Sequence, residues 1–162
     1  MLTETGIPTK EDLRTVMPPD ERFAKGPVAI VECFQKIPCD PCVDACNFHA
    51  ITKPGNINDL PVLDFDKCNG CGVCIARCPG LAIFVVDKTH SDTHAVVRVP
   101  YEFLPVPEKG QTLGGLDRSG KELGQFEVVR VIPGGANKTI VVWLAVPQEL
   151  AMEVRAVRAG GG

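Results

Sequence analysis

The chain has 162 residues, 44% apolar and 23% charged, with a formal net charge of −3, a balance that fits one or two folded domains. Its longest apolar runs, Leu81–Val86 and Ile140–Val146, fall far short of the roughly 20 residues that span a bilayer. The mild charge, with no Lys/Arg-rich run interleaved with aromatics, argues against nucleic acid as a partner.

Residues 1–26 hold three prolines, in GIPTK and MPPD, and no sustained hydrophobic period. They are expected to form an extended arm with at most a helical turn from Lys10 to Thr15. The amino-terminal MLTETGIPTKEDL lacks a basic region followed by an apolar core, so no secretory signal is read there. Reduced cysteines and a cytoplasmic location are therefore expected. VAIVEC, from Val28, is a β-branched run that reads as a strand. The turn formers of Thr52–Pro61 mark a loop, PVLDFDK a second strand, and AIFVVD, Ala82–Asp87, a third.

All eight cysteines lie between Cys33 and Cys78. Cys68, Cys71, Cys74 and Cys78 follow the spacing C-x2-C-x2-C-x3-C-P, in which three thiolates converge from a tightly wound loop and the fourth leaves in another direction. Upstream, Cys39, Cys42, Cys46, Ala50 and Ile51 match Cys71, Cys74, Cys78, Ala82 and Ile83 at an offset of 32 residues, one structural unit used twice. Two four-cysteine zinc sites are the competing reading, but zinc sites use separated C-x2-C pairs, so the successive x2 spacing favours iron–sulfur.

On these residues the segment from about 28 to 88 resembles the bacterial-type ferredoxins with two [4Fe-4S] clusters. The resemblance implies that the fourth cysteine of each motif serves the other cluster. Cys33, Cys39, Cys42 and Cys78 would hold cluster one; Cys68, Cys71, Cys74 and Cys46 would hold cluster two. The chain departs from the family where Lys36 replaces the cysteine matching Cys68, so Cys33 must reach cluster one across a longer loop, and where Asn47 follows Cys46 in place of proline. Ile51 and Ile83 are expected to keep water from the clusters. Gly70 and Gly72 are expected to let backbone N–H groups approach them. Asp40 and Asp44 stand in the first motif and Arg77 in the second, which assigns the lower potential to cluster one.

Beyond residue 90 there is no cysteine. AVVRVPYEFLPV, TLGGLD, LGQFEVVRVI and KTIVVWLAV read as strands separated by PEKG, DRSGK and PGGAN. PQELAMEVRAVR reads as a closing helix, and AGGG as frayed. The expected fold is thus α+β: an arm over 1–27, a two-cluster domain with a pseudo-twofold repeat over 28–90, and a small antiparallel β-rich docking domain with a carboxy-terminal helix over 91–162. His90 and His94 lie in a polar linker and are read as exposed, as is His49. Asp117, Arg118 and Gly120 are read as a hairpin turn, and Trp143 as core.

No nucleotide-binding loop and no nucleophile with its base is visible, so no substrate chemistry is assigned to this chain. The layout of arm, ECFQKIPC segment, second motif and valine-rich tail also resembles the small iron–sulfur subunits of flavin-dependent dehydrogenases that oxidise proline, hydroxyproline or opines. That resemblance implies electron transfer within an oxidoreductase complex. FAD would be carried on a partner dehydrogenase subunit, with further iron–sulfur subunits as additional partners.

Overall fold

The computed structural model describes residues 2–134 and 138–158. Three short helices open the chain: α1 (Leu2–Thr5), α2 (Lys10–Arg14) and α3 (Asp20–Phe23). About half of the expected extended arm is therefore helical, α2 lying where the helical turn was expected. Its signal was present in Thr9 and Asp12, which form a capping box: the Thr9 hydroxyl accepts from the Asp12 amide, and Asp12 accepts from the Thr9 amide. Phe23 is buried against Val28, Ile30, Val86 and Ala151, which fixes the arm to the body of the protein.

Two half-units follow in the order strand, cysteine loop, helix, strand. The first comprises β1 (Val28–Val31), α4 (Pro41–Ala45) and β2 (Ile51–Thr52); the second comprises β3 (Val62–Leu63), α5 (Val73–Arg77) and β4 (Ile83–Asp87). β1 pairs antiparallel with β4, and β2 with β3, so each half contributes one strand to each pairing. Five further strands follow: β5 (His94–Tyr101), β6 (Thr112–Leu116), β7 (Glu122–Ile132), β8 (Ile140–Pro147) and β9 (Ala156–Val157).

The expected boundary near residue 90 is bridged by a hairpin. β4 pairs with β5 in register from Val85 opposite Arg98 to Asp87 opposite Val96, so one antiparallel sheet of seven strands runs through both parts in the order β1-β4-β5-β8-β7-β6-β9. The last of these, β9 (Ala156–Val157), lies where a carboxy-terminal helix was expected. Only a 3-10 turn, Gln148–Leu150, is helical there. The apolar residues of that segment never lay on one helical face; Val154 and Val157 are instead buried in the main core, and β9 pairs with β6. Residues 135–137 of the PGGAN turn and 159–162, the AGGG read as frayed, lie outside the described residues.

Strand alternation sends side chains to two faces. Phe84, Val97, Val99, Val142, Leu144 and Val146 point into one core with Leu113, Val128 and Val157. Val31, Ile83, Val85 and Val141 point to the opposite face, where they meet Ile75 and the cysteine-bearing elements. A buried ion-pair group ties the sheet ends together. Glu32, just after β1, accepts from Arg118 Nε at 2.5 Å and from Arg155 Nε at 2.6 Å, and Arg155 also donates to the Ala151 and Val154 carbonyls. Burial lowers the Arg155 pKa and Glu32 opposes that shift. The 117–121 turn forms as read, with Asp117 accepting from the Ser119 and Lys121 amides, while Arg118 has this further role. Glu32→Gln strands two guanidinium groups and is expected to cost about 3 kcal/mol, measurable by chemical unfolding.

Candidate metal centres

The two cysteine motifs deliver their thiols to two separate cavities. One, of about 30 Å³, is lined by Cys33, Cys39, Cys42 and Cys78, with Val31, Lys53 and Ile83. The other, of about 20 Å³, is lined by Cys46, Cys68, Cys71 and Cys74, with Ala29, Ile51 and Leu63. Among the described residues no three His, Cys, Asp or Glu side chains close on one point as ligands of a single ion do; each quartet stands around its cavity. α4 carries Cys42 and ends at Cys46, and α5 carries Cys74 and ends at Cys78. Since the two cysteines of each helix lie about one turn apart while the helices pack side by side, each helix serves both cavities.

The repeat holds down to single hydrogen bonds. After Cys46, the His49 amide donates to the Cys46 carbonyl at 3.2 Å and the Ala50 amide to Cys46 Sγ at 3.4 Å. After Cys78, the Leu81 amide donates to the Cys78 carbonyl at 3.2 Å and the Ala82 amide to Cys78 Sγ at 3.4 Å. His49 and Leu81 both have left-handed backbones, φ 54° and 53°. The exposed His49 is thus explained by its place in this turn, and His90 and His94 are also exposed. Ile51 and Ile83 are 2% and 1% exposed, each beside a cavity.

Burial raises the thiol pKa of Cys33 and Cys42. It pushes Cys74 up to about 12, with Cys68 and Cys71 adding to the shift. Thiols gathered in such surroundings ionise only against compensating positive charge. Four such donors, an apolar lining and amides aimed at sulfur suit an iron–sulfur cluster in each cavity.

The long connection from Cys33 to Cys39 is shaped from outside. Lys53 Nζ donates to the Ile57 carbonyl at 2.8 Å and the Ile37 carbonyl at 3.4 Å, and the Cys39 amide donates to Ile57 at 3.4 Å. This places Cys33 with the other three thiols despite Lys36 at the family's usual cysteine position. The charge comparison drawn from sequence changes, however. Arg77 borders Cys78, on the side of the first cavity, and Asp40, Asp44 and Arg77 are all exposed, where solvent screens them.

Two arginines far from the motifs were not visible as site residues. Arg22 of α3 donates to the carbonyls of Phe65, Gly26, Pro27 and Cys68, holding the turn that leads into the second cavity. Arg98 of β5 donates to the Gly70 carbonyl. Gly70 itself, φ +73°, is required by packing: a Cβ there would stand 2.4 Å from the Pro27 carbonyl oxygen. Gly70→Ala is expected to cost about 3 kcal/mol, combining backbone strain with overlap. Gly120→Ala, at φ +87° with open space around it, should cost about 1 kcal/mol. Thermal unfolding of the two variants checks the contrast.

Residues 37–82 match the family model of the 4Fe-4S dicluster domain. The chain is 40% identical over 66 residues to the ferredoxin-type protein NapF of Haemophilus influenzae, covering 38% of this chain and 38% of that protein. It is 35% identical over 66 residues to NapF of Escherichia coli, covering 40% and 39%. Over 44 residues it is 39% identical to pyruvate synthase subunit PorD of Methanothermobacter marburgensis, covering 27% and 54%. The chain spans about two-fifths of the length of the NapF proteins. No solved structure matches it. The chain thus contains a ferredoxin-type dicluster domain joined to an antiparallel β-rich region. No helix among the described residues is long and apolar enough to cross a membrane.

Proposed function

We propose that the chain is an electron-transfer subunit holding two [4Fe-4S] clusters, with the organic chemistry located on another polypeptide. The observation that carries this reading is the crossed division of eight thiols between two cavities. Cys33, Cys39, Cys42 and Cys78 hold one cluster; Cys46, Cys68, Cys71 and Cys74 hold the other. Each cluster, when bound, supplies one-electron redox chemistry. The chain's own residues fix the thiolates, shield the cavities through Ile51 and Ile83, and stabilise negative charge on sulfur through the Ala29, Ala50 and Ala82 amides. Anaerobic reconstitution followed by reductive titration tests this: two reversible one-electron steps are expected, whereas a colourless zinc protein contradicts it.

The finer reading is that the partner is an FAD-containing dehydrogenase subunit acting on an amino acid or amine in the cytoplasm, with further iron–sulfur subunits in the complex. Its support is the resemblance of the arm, the ECFQKIPC segment and the valine-rich strands to such subunits. The subunit status of PorD, as its name states it, supports the broader idea of a place in an assembly. Anaerobic purification from the native source with flavin analysis decides it: a stoichiometric flavoprotein is expected, and a chain that emerges alone favours a free carrier.

A further inference from the structure

On the sheet face that carries the cysteine loops, Val85 of β4, Arg98 of β5 and Trp143 of β8 lie side by side in register, and Arg130 of β7 stands opposite Trp143. Arg98 is out of character in this company. It lies between Val97 and Val99 in an inner strand and is only 7% exposed. Its guanidinium sits 3.7 Å from the Trp143 ring centroid, with that of Arg130 5.0 Å from the same ring. Nη1 donates to the Gly70 carbonyl at 2.5 Å, while the buried Nε has no partner among the described residues.

Stability alone gives little reason for this choice, because a buried charge is commonly replaced by a well-packed apolar side chain at no loss. Its position supplies a reason. Nη1 would stand 3.8 Å from a Cβ on Gly72, so the charge lies directly behind the turn bearing Cys71 and Gly72, which line the second cavity. Arginine stays protonated in proteins, and a fixed charge acts more strongly where little water screens it.

We propose, on the reading that both cavities hold clusters, that Arg98 is a positioning residue that raises the reduction potential of the cluster held by Cys46, Cys68, Cys71 and Cys74. Reduction adds one electron from an external one-electron reductant and no proton. The added negative charge is stabilised by the guanidinium behind the loop. The hydrogen bond to Gly70 holds that charge in place, and the Trp143 ring fixes its plane.

The test is an EPR-monitored titration with dithionite of the reconstituted 162-residue chain and of Arg98→Gln, Arg98→Met and Arg98→Lys. In the Gln and Met variants the reduced-to-oxidised ratio of one cluster at fixed potential should fall about tenfold, a drop of about 59 mV, with the other midpoint unmoved. Arg98→Lys should stay near the wild type. Unmoved midpoints in the neutral variants overturn the proposal, as does a lysine variant that shifts as far as the glutamine one. Cluster loss in both neutral variants also overturns it, by assigning Arg98 to loop folding. A wild type showing a single cluster sinks the two-cluster reading before any variant is compared.

Discussion

A chain ended at residue 92 should lose its clusters and its solubility together. The cut removes β5, to which β4 is hydrogen-bonded, and turns β4 from an inner strand into an open edge. Phe84 and Val86, buried against residues of the later strands and of the 151–154 turn, become exposed, and an apolar edge strand pairs with other chains. Arg98, Arg118 and Arg155 go too, leaving Glu32 without the two ion-pair partners it has in the intact chain. From sequence the β-rich part reads as a docking domain. Continuity of the sheet makes it part of the scaffold that holds β1 and β4, the strands flanking both cysteine loops. Size-exclusion chromatography with iron analysis of the truncated chain decides between the two; a soluble, brown, monomeric product would refute the scaffold role.

The second large effect is expected at Arg22. Arg22 is 7% exposed, and its guanidinium satisfies four backbone carbonyls, the closest being Cys68 at 2.7 Å. Arg22→Met leaves those carbonyls, three of them in part-buried bonds, without that donor. At about 1–3 kcal/mol for each buried unsatisfied group, a loss of roughly 5 kcal/mol is expected, a large part of the stability of an ordinary domain. The damage should centre on the second cavity, because Cys68 is the thiol whose backbone is released. Iron content and unfolding midpoint check this together. Retention of both clusters with an unchanged midpoint would show that the arm is accessory.

The cysteine machinery was legible because it is local and repeated. Short fixed spacings, and the 32-residue offset that pairs Cys46 with Cys78, carry over directly into matching turns at His49 and Leu81. The grouping of thiols followed from the resemblance, and the structure brings together the same two sets. The long strands after residue 90 were legible as alternating valines, but alternation says which face a residue takes and not which strand lies beside it. For that reason the pairing of β4 with β5, and with it the single sheet, could not be read. Arg22 and Arg98 escaped for a related reason: their partners Cys68 and Gly70 lie 46 and 28 residues away, beyond any local pattern. At the carboxy terminus, pairing of Ala156–Val157 with β6 overrode a weak helical pattern.

Native mass spectrometry of the anaerobically purified chain tests the central claim most directly, because it weighs the protein with whatever its eight cysteines hold. The added mass should equal two [4Fe-4S] clusters on each chain. One cluster, zinc in their place, or disulfide-linked cysteines without iron would contradict the assignment of the two cavities.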